Sequence, residues 1–128
     1  MKKKYLIVIA NYYKDISRGL LKSAKDILPK SSLIKIINVP GVFEIPVTIS
    51  KNIKKYDAFL ALGCVIKGQT PHFDFISHVS TDAIMRISLE HKKPIGNGII
   101  TCLNMRQAKA RKKKGREAAE AVISVLSQ

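Results

Sequence analysis

Gly63 to Phe75 reads GCVIKGQTPHFDF: the close of an apolar run, a glycine turn and the opening of a periodic helix. Working back from it, Ala58 to Val65 is short, apolar and bounded by Asp57 and the glycine loop, the length and residue types of a buried strand. Working forward, Phe75, Ile76, Val79, Ala83, Ile84 and Ile87 recur at helical spacing from about Asp74 onward. A strand, a loop and a helix in succession leave free backbone amides and the positive end of the helix dipole at the helix start, where an anion is favoured. The stretch approaches the nucleotide-binding pattern GxxxxGK[ST], but Gln69 stands where that pattern needs lysine, and Lys67 falls before Gly68. A small phosphate ester is therefore the ligand expected, rather than a nucleoside triphosphate. A plain strand-to-helix turn is the alternative.

Thr70 offers a hydroxyl in the turn, and His72, at the start of the next helix, a group that exchanges a proton near neutral pH. A surface or capping histidine is the alternative for His72. Asp74, His78 and Asp82 follow at i, i+4 and i+8 on one helix face, a spacing that suggests a divalent metal. A solvated polar face accounts for them more simply, and no metal is expected.

The elements alternate along the rest of the chain. Tyr5 to Ala10 reads as a strand, Ser17 to Leu28 as an amphipathic helix stopped by Pro29, and Leu33 to Val39 as a second strand. Phe43 to Ile53 makes a short helix after Pro40 and Gly41. Ile95 to Leu103 is a fourth strand, and Asn104 to Leu126 is helical with a break near Gly115. This order predicts one α/β domain over residues 1–128, a parallel sheet covered by helices on both faces, with ligands at the carboxyl ends of the strands. At those ends stand Asn11-Tyr12-Tyr13, Pro40 to Pro46, Gly68 to His72 and, within strand four, Gly96-Asn97-Gly98. Tyr12 can stack on a planar heterocycle, and Glu44 can accept hydrogen bonds from hydroxyl or ring NH groups. Their alternatives are a packed edge aromatic and a carboxylate placed by the helix dipole.

A length of 128 residues suffices for one core, and the formal net charge of +14 is the compositional outlier. It attracts anionic substrates, and the run RKKKGR from Arg111 to Arg116 can hold nucleic acid. Lysines are scattered over the whole chain without an aromatic-studded basic motif, so nucleic acid is not expected as a partner. No apolar run reaches membrane-spanning length, and the run after MKKK is too short and strand-like for a signal peptide. No membrane partner is expected, and the protein is placed in the cytoplasm. Cys64 and Cys102 fall in separate strands and read as reduced core thiols. Cys64 as a nucleophile served by His72 is the weaker alternative, since nothing local lowers its pKa.

PGVFEIP at Pro40 to Pro46, GCVIKGQTPHFDF at Gly63 to Phe75 and PIGNGIITCLNMRQAKAR at Pro94 to Arg111 together resemble the 6,7-dimethyl-8-ribityllumazine synthase family of riboflavin biosynthesis. The likeness runs from the first strand to the closing KGREAAEA helix. It implies a three-layer α/β/α sandwich with a four-stranded parallel sheet of flavodoxin-like type. The implied activity is a cofactor-free transferase reaction that condenses 5-amino-6-(D-ribitylamino)uracil with 3,4-dihydroxy-2-butanone 4-phosphate, releasing phosphate and water.

By motif position, the resemblance implies that Tyr12 stacks on the pyrimidine, and that Val42, Phe43 and Glu44 bind the ribitylamino-uracil with Cys64, Val65 and Ile66. Gln69 and Thr70 match the phosphate-binding turn, His72 the proton-transfer histidine, Arg111 the arginine that grips the phosphate, and Lys114 a lysine near the pyrimidine. A homopentamer is implied, with sites completed between subunits so that Asn97 and Arg111 face the neighbour's Tyr12, Phe43 and His72. Asn11, Tyr13 and Asn97 depart from the arginine, small polar residue and large apolar or aromatic residue usual in the family. A catalytically silent binder of ribityl-pyrimidines or flavins is the alternative function.

Overall fold

The computed structural model describes residues 2–68 and 72–128, the side chain of His72 excepted. Its strands are β1 (Lys4–Ala10), β2 (Leu33–Val39), β3 (Ala58–Ile66) and β4 (Ile95–Cys102), paired in parallel in the order β2-β1-β3-β4. The chain moves from β1 to one side, then crosses to β3 on the other. The strand order therefore reverses between β1 and β3, the point where open α/β sheets leave a crevice beyond the carboxyl ends.

Burial explains why the strands differ in composition. The central strands are apolar on both faces: Leu6, Val8, Phe59 and Ala61 pack toward one helical layer, and Tyr5, Ile7, Ile9, Leu60 and Leu62 toward the other. β2 lies at an edge and leaves Leu33, Ile34, Lys35 and Asn38 exposed. One layer consists of α1 (Lys14–Lys25) and α5 (Lys114–Leu126), which contribute Leu20, Ala24, Ala119 and Val122. The other consists of α2 (Ile45–Lys51) and α3 (His72–His91), which contribute Ile45, Ile49, Ile76 and Ile84. The result is the three-layer, four-stranded parallel fold. No helix among the described residues is long and apolar enough to cross a membrane.

The boundaries shift from those the sequence predicts, each for a local reason. α1 starts before Ser17, because the buried Ser17 hydroxyl donates to the Ala10 carbonyl at 2.6 Å and so ties the helix interior to β1. It ends before Leu28, where the amides of Ile27 and Leu28 both return to the Ala24 carbonyl in a tightening turn ahead of Pro29. The Phe43 to Ile53 segment divides into a 3-10 turn, Val42–Glu44, and α2, with Pro46 in the first turn where its missing N–H is not needed. α3 begins at His72, where the sequence places the helix start, two residues ahead of the visible periodicity.

Near the carboxyl end, Asn104 caps α4 (Met105–Ala110) by accepting from the Gln107 amide at 3.0 Å, while the Gln107 side chain accepts from the Leu103 amide at 2.8 Å. The break in the closing helix is at residues 111–113, not at Gly115. Gly115 lies inside α5, where a Cβ would meet the Leu20 carbonyl oxygen at 2.0 Å. A Cβ on Gly96 would meet the Ala118 carbonyl oxygen at 2.3 Å. These two glycines let α5 lie directly against α1 and β4. That contact holds the Arg111–Lys114 connection beside the edge strand.

Candidate active site

A cavity of about 650 Å³ opens at the carboxyl ends of β1, β2 and β3. β1 leads into Tyr12, whose side of the cavity is open: the residue is 74% exposed and its ring meets Tyr13 edge-on at 4.9 Å and 82°. The exposed ring of Tyr12 thus offers surface to a flat ligand. Burial, then Cys64 and Tyr12 nearby, raise the Tyr13 hydroxyl above its ordinary value, so it remains a protonated donor.

β2 leads into the 3-10 turn. Val42 is buried, and Phe43 is 56% exposed over the cavity. The Glu44 carboxylate curls back so that a Cβ on Gly41 would stand 3.3 Å from its Oε1. The Glu44 carbonyl accepts from the Thr48 hydroxyl at 2.8 Å, which anchors this corner to α2. Gly63 permits the turn to sit so close to β3, because a Cβ there would lie 2.9 Å from Val42 Cγ2.

β3 closes the floor with Cys64, Val65 and Ile66. Cys64 and Cys102 are free and buried, on adjacent strands, with Ile66 of β3 opposite Cys102 of β4. Burial pushes the Cys64 thiol up to about 12, with Cys102 adding to the shift. At neutral pH it is a thiol, which argues against the alternative of a nucleophile served by His72.

A second cavity, of about 520 Å³, lies along β4 and the connection into α5. Among the described residues it shares no lining residue with the first. Asn97, Ile99 and Thr101 come from the strand, and Arg111, Lys113, Lys114 and Glu117 from the helical side. The Arg111 guanidinium donates to the Thr101 carbonyl at 3.2 Å, which aims it along the strand end and leaves other N–H groups for an anion. Lys114 stands 3.4 Å from Glu117, and Asn97 Oδ1 accepts from the Ile99 amide at 3.1 Å. Three cations against one carboxylate give this cavity an excess of positive charge, which favours an anion.

The residues singled out in the sequence therefore fall into two groups. Tyr12, Val42, Phe43, Glu44, Cys64, Val65 and Ile66 line the aromatic cavity, whereas Asn97, Arg111 and Lys114 line the cationic one. Gln69, Thr70 and the His72 side chain lie outside the described residues; the His72 backbone opens α3. Asp74, His78 and Asp82 are exposed, and Asp82 is bound to Arg86. Among the described residues no group of three potential ligands gathers to hold a metal.

Phe75, Ile76, Lys113 and Glu117 are among the lining residues that the sequence does not single out as ligands. Phe75 was read only as part of an apolar helix face, yet it is largely exposed over the aromatic cavity with Ile76. Its signal was its place directly after the glycine loop. Lys113 and Glu117 were read only as part of a basic run and a closing helix.

The profile of the 6,7-dimethyl-8-ribityllumazine synthase family matches residues 2–128. The chain is 42% identical to the 6,7-dimethyl-8-ribityllumazine synthase of Bartonella bacilliformis, across 95% of this chain and 87% of that protein. It is 41% identical to the enzyme of the same name from Bartonella tribocorum, across 99% and 91%, and 39% identical to that from Agrobacterium fabrum, across 98% and 95%.

Proposed function

The chain belongs to the 6,7-dimethyl-8-ribityllumazine synthase family, and we propose that it works through a site assembled from the aromatic cavity of one copy and the cationic cavity of the next. As a member it is a transferase of riboflavin biosynthesis that joins 5-amino-6-(D-ribitylamino)uracil to 3,4-dihydroxy-2-butanone 4-phosphate. Residues 1–128 act as one synthase domain in a homopentamer. Two buried free thiols suit a reducing compartment, and the protein is assigned to the cytoplasm.

One observation carries the shared site: each cavity holds what the other lacks. The ring of the ribitylamino-uracil stacks on Tyr12, and Phe43, Glu44 and the end of β3 hold its ribityl arm. Arg111 of the adjoining copy receives the phosphate, with Gln69 and Thr70 at the start of α3. Imine formation, loss of phosphate and ring closure require proton movement, anion stabilisation and a fixed geometry more than a strong nucleophile. His72 moves the proton. The protonated Tyr13 hydroxyl supplies a further donor on the aromatic side.

Lumazine absorbance and released phosphate, followed with both substrates for the wild type and His72→Ala, test the reaction. Slower product formation by the variant is expected, and an oligomeric wild type that makes no product overturns the reading. Mixing His72→Ala chains with Arg111→Ala chains tests the sharing. Hybrids should regain activity above that of either variant alone; no recovery rules out a site split between copies.

A further inference from the structure

The lysines that look scattered in the sequence are gathered by the topology. Lys2, Lys3 and Lys4 lead into β1, Lys25, Lys30 and Lys35 surround the start of β2, Lys51, Lys54 and Lys55 precede β3, and Lys92 and Lys93 precede β4. All four strands are parallel, so all four begin at the same pole. Eleven lysines meet there, against Asp26, Asp57 and Glu90. We infer that this amino-terminal pole binds single-stranded nucleic acid.

The lysines are not consumed internally. The ion pairs among the described residues involve Arg18, Lys22, Arg86, Lys114 and Arg116, none of the eleven. Among the described residues only Lys93 is tied down, its ammonium donating to the carbonyls of Ile53 and Tyr56 at 2.7 and 3.0 Å. The other ten are exposed. Of the carboxylates, Asp26 is taken by Lys22 and Asp57 by the Lys4 amide at 2.8 Å. The carboxyl ends of α1, α2 and α3 also lie at this pole and favour nearby cations, which accounts for Lys25 and Lys51. It does not account for the lysines flanking β1 and β2.

A cavity of about 390 Å³ sets the class of polyanion. Lys4, Lys35 and Lys55 line it together with Leu33, Ile34 and Tyr56, and the Tyr56 ring is braced edge-on by Phe59 at 6.1 Å. Three ammonium groups around an apolar and aromatic floor suit phosphates linked to flat, unpaired bases. A duplex would hide its bases, and an acidic peptide or membrane would use only the charge. The nine residues of β3 separate this pole from the aromatic cavity by roughly 30 Å, so occupancy leaves the reaction untouched.

Fluorescence anisotropy with a labelled oligothymidylate of about twenty nucleotides tests the inference on the assembled protein. Engagement of about five ammonium groups gives an affinity that falls by about a hundredfold between about 50 and 200 mM salt. Lys4→Gln/Lys35→Gln/Lys55→Gln should weaken binding at least about tenfold with lumazine synthesis unchanged, while Lys109→Gln/Lys112→Gln on the other basic segment binds as the wild type does. Failure to bind at low salt overturns the inference, as does loss through the Lys109/Lys112 variant alone. Equal binding of a duplex removes the role of the cavity. Capture by phosphatidylserine vesicles without oligonucleotide binding replaces nucleic acid with a membrane surface.

Discussion

The cavity beside Tyr12 and the cavity beside Arg111 are built from opposite materials. The first is walled by rings and aliphatic strand ends, with Glu44 as the one charged side chain among the described residues that line it. The second has a polar strand edge on one side and Arg111, Lys113, Lys114 and Glu117 on the other. A heterocycle gains from shedding water against an aromatic face, whereas a phosphate needs cations that stay solvated until it arrives. Arginine in the aromatic cavity would be desolvated without a partner, and an unpaired ring in the cationic one would gain little. Keeping the two apart in each chain lets each retain its own environment, and in the shared site proposed above association between copies would join them.

The strongest way to break this contrast is through the packing that carries only the cationic half. Gly115→Val drives a side chain into the Leu20 carbonyl, and a loss of about 3 kcal/mol is expected from urea unfolding. In any protein that remains folded, phosphate affinity should fall while binding of the ribitylamino-uracil persists. Arg111→Ala removes the charged donor without touching the frame. Loss of a charge-assisted bond of about 1.5–3 kcal/mol predicts a fall in kcat/KM of about tenfold to a hundredfold. Calorimetry with the ribitylamino-uracil alone should give an unchanged affinity; a parallel loss there would erase the division of labour.

Tyr12→Ala is the converse and smaller test. The stacking contribution of about 0.5–1.5 kcal/mol predicts a rise in KM for the ribitylamino-uracil of about two- to tenfold, with inhibition by inorganic phosphate unaltered. The least effect at neutral pH comes from the floor of the same cavity. Because burial holds the Cys64 thiol up to about 12 against an ordinary 9.0, the unfolded chain releases a proton that the folded chain keeps as pH rises past 9. Stability from this group is therefore complete below that pH and lost above it. Raised Tyr5 and Tyr13 hydroxyls act in the same direction at higher pH. Unfolding midpoints should fall with a shallower slope for Cys64→Ala; an identical slope would remove the buried thiol as a cause.

Much of this was legible before any coordinates. Unbroken apolar runs at Leu6–Ala10 and Ala58–Val65 identify strands buried on both faces, and the alternation of elements supplies the layered α/β class. Tyr12, Phe43 and Glu44 were recognisable because strand ends in such a fold are where ligands sit. Gly115 was legible as a special position but not for its reason: a glycine inside a helix and one at its end look alike until the opposing Leu20 carbonyl is known. The same limit applies to Ser17, which reads as the first residue of a helix and instead lies inside it, bonding a strand end seven residues away. Phe75 has the periodicity of a core residue, and only the angle of α3 leaves it over the cavity.

By itself the sequence determined the strands, the helices and the ordered motifs, because periodicity, turn chemistry and residue type act over a few neighbours. Tertiary structure gave physical form to a separation the family resemblance implies, with Asn97, Arg111 and Lys114 in one cavity and Tyr12 and Phe43 in another, and alone decided that lysines spaced across the chain share one pole. Both are consequences of parallel strand pairing. It aligns the beginnings and ends of segments far apart in the chain, and no local pattern records which of them will meet.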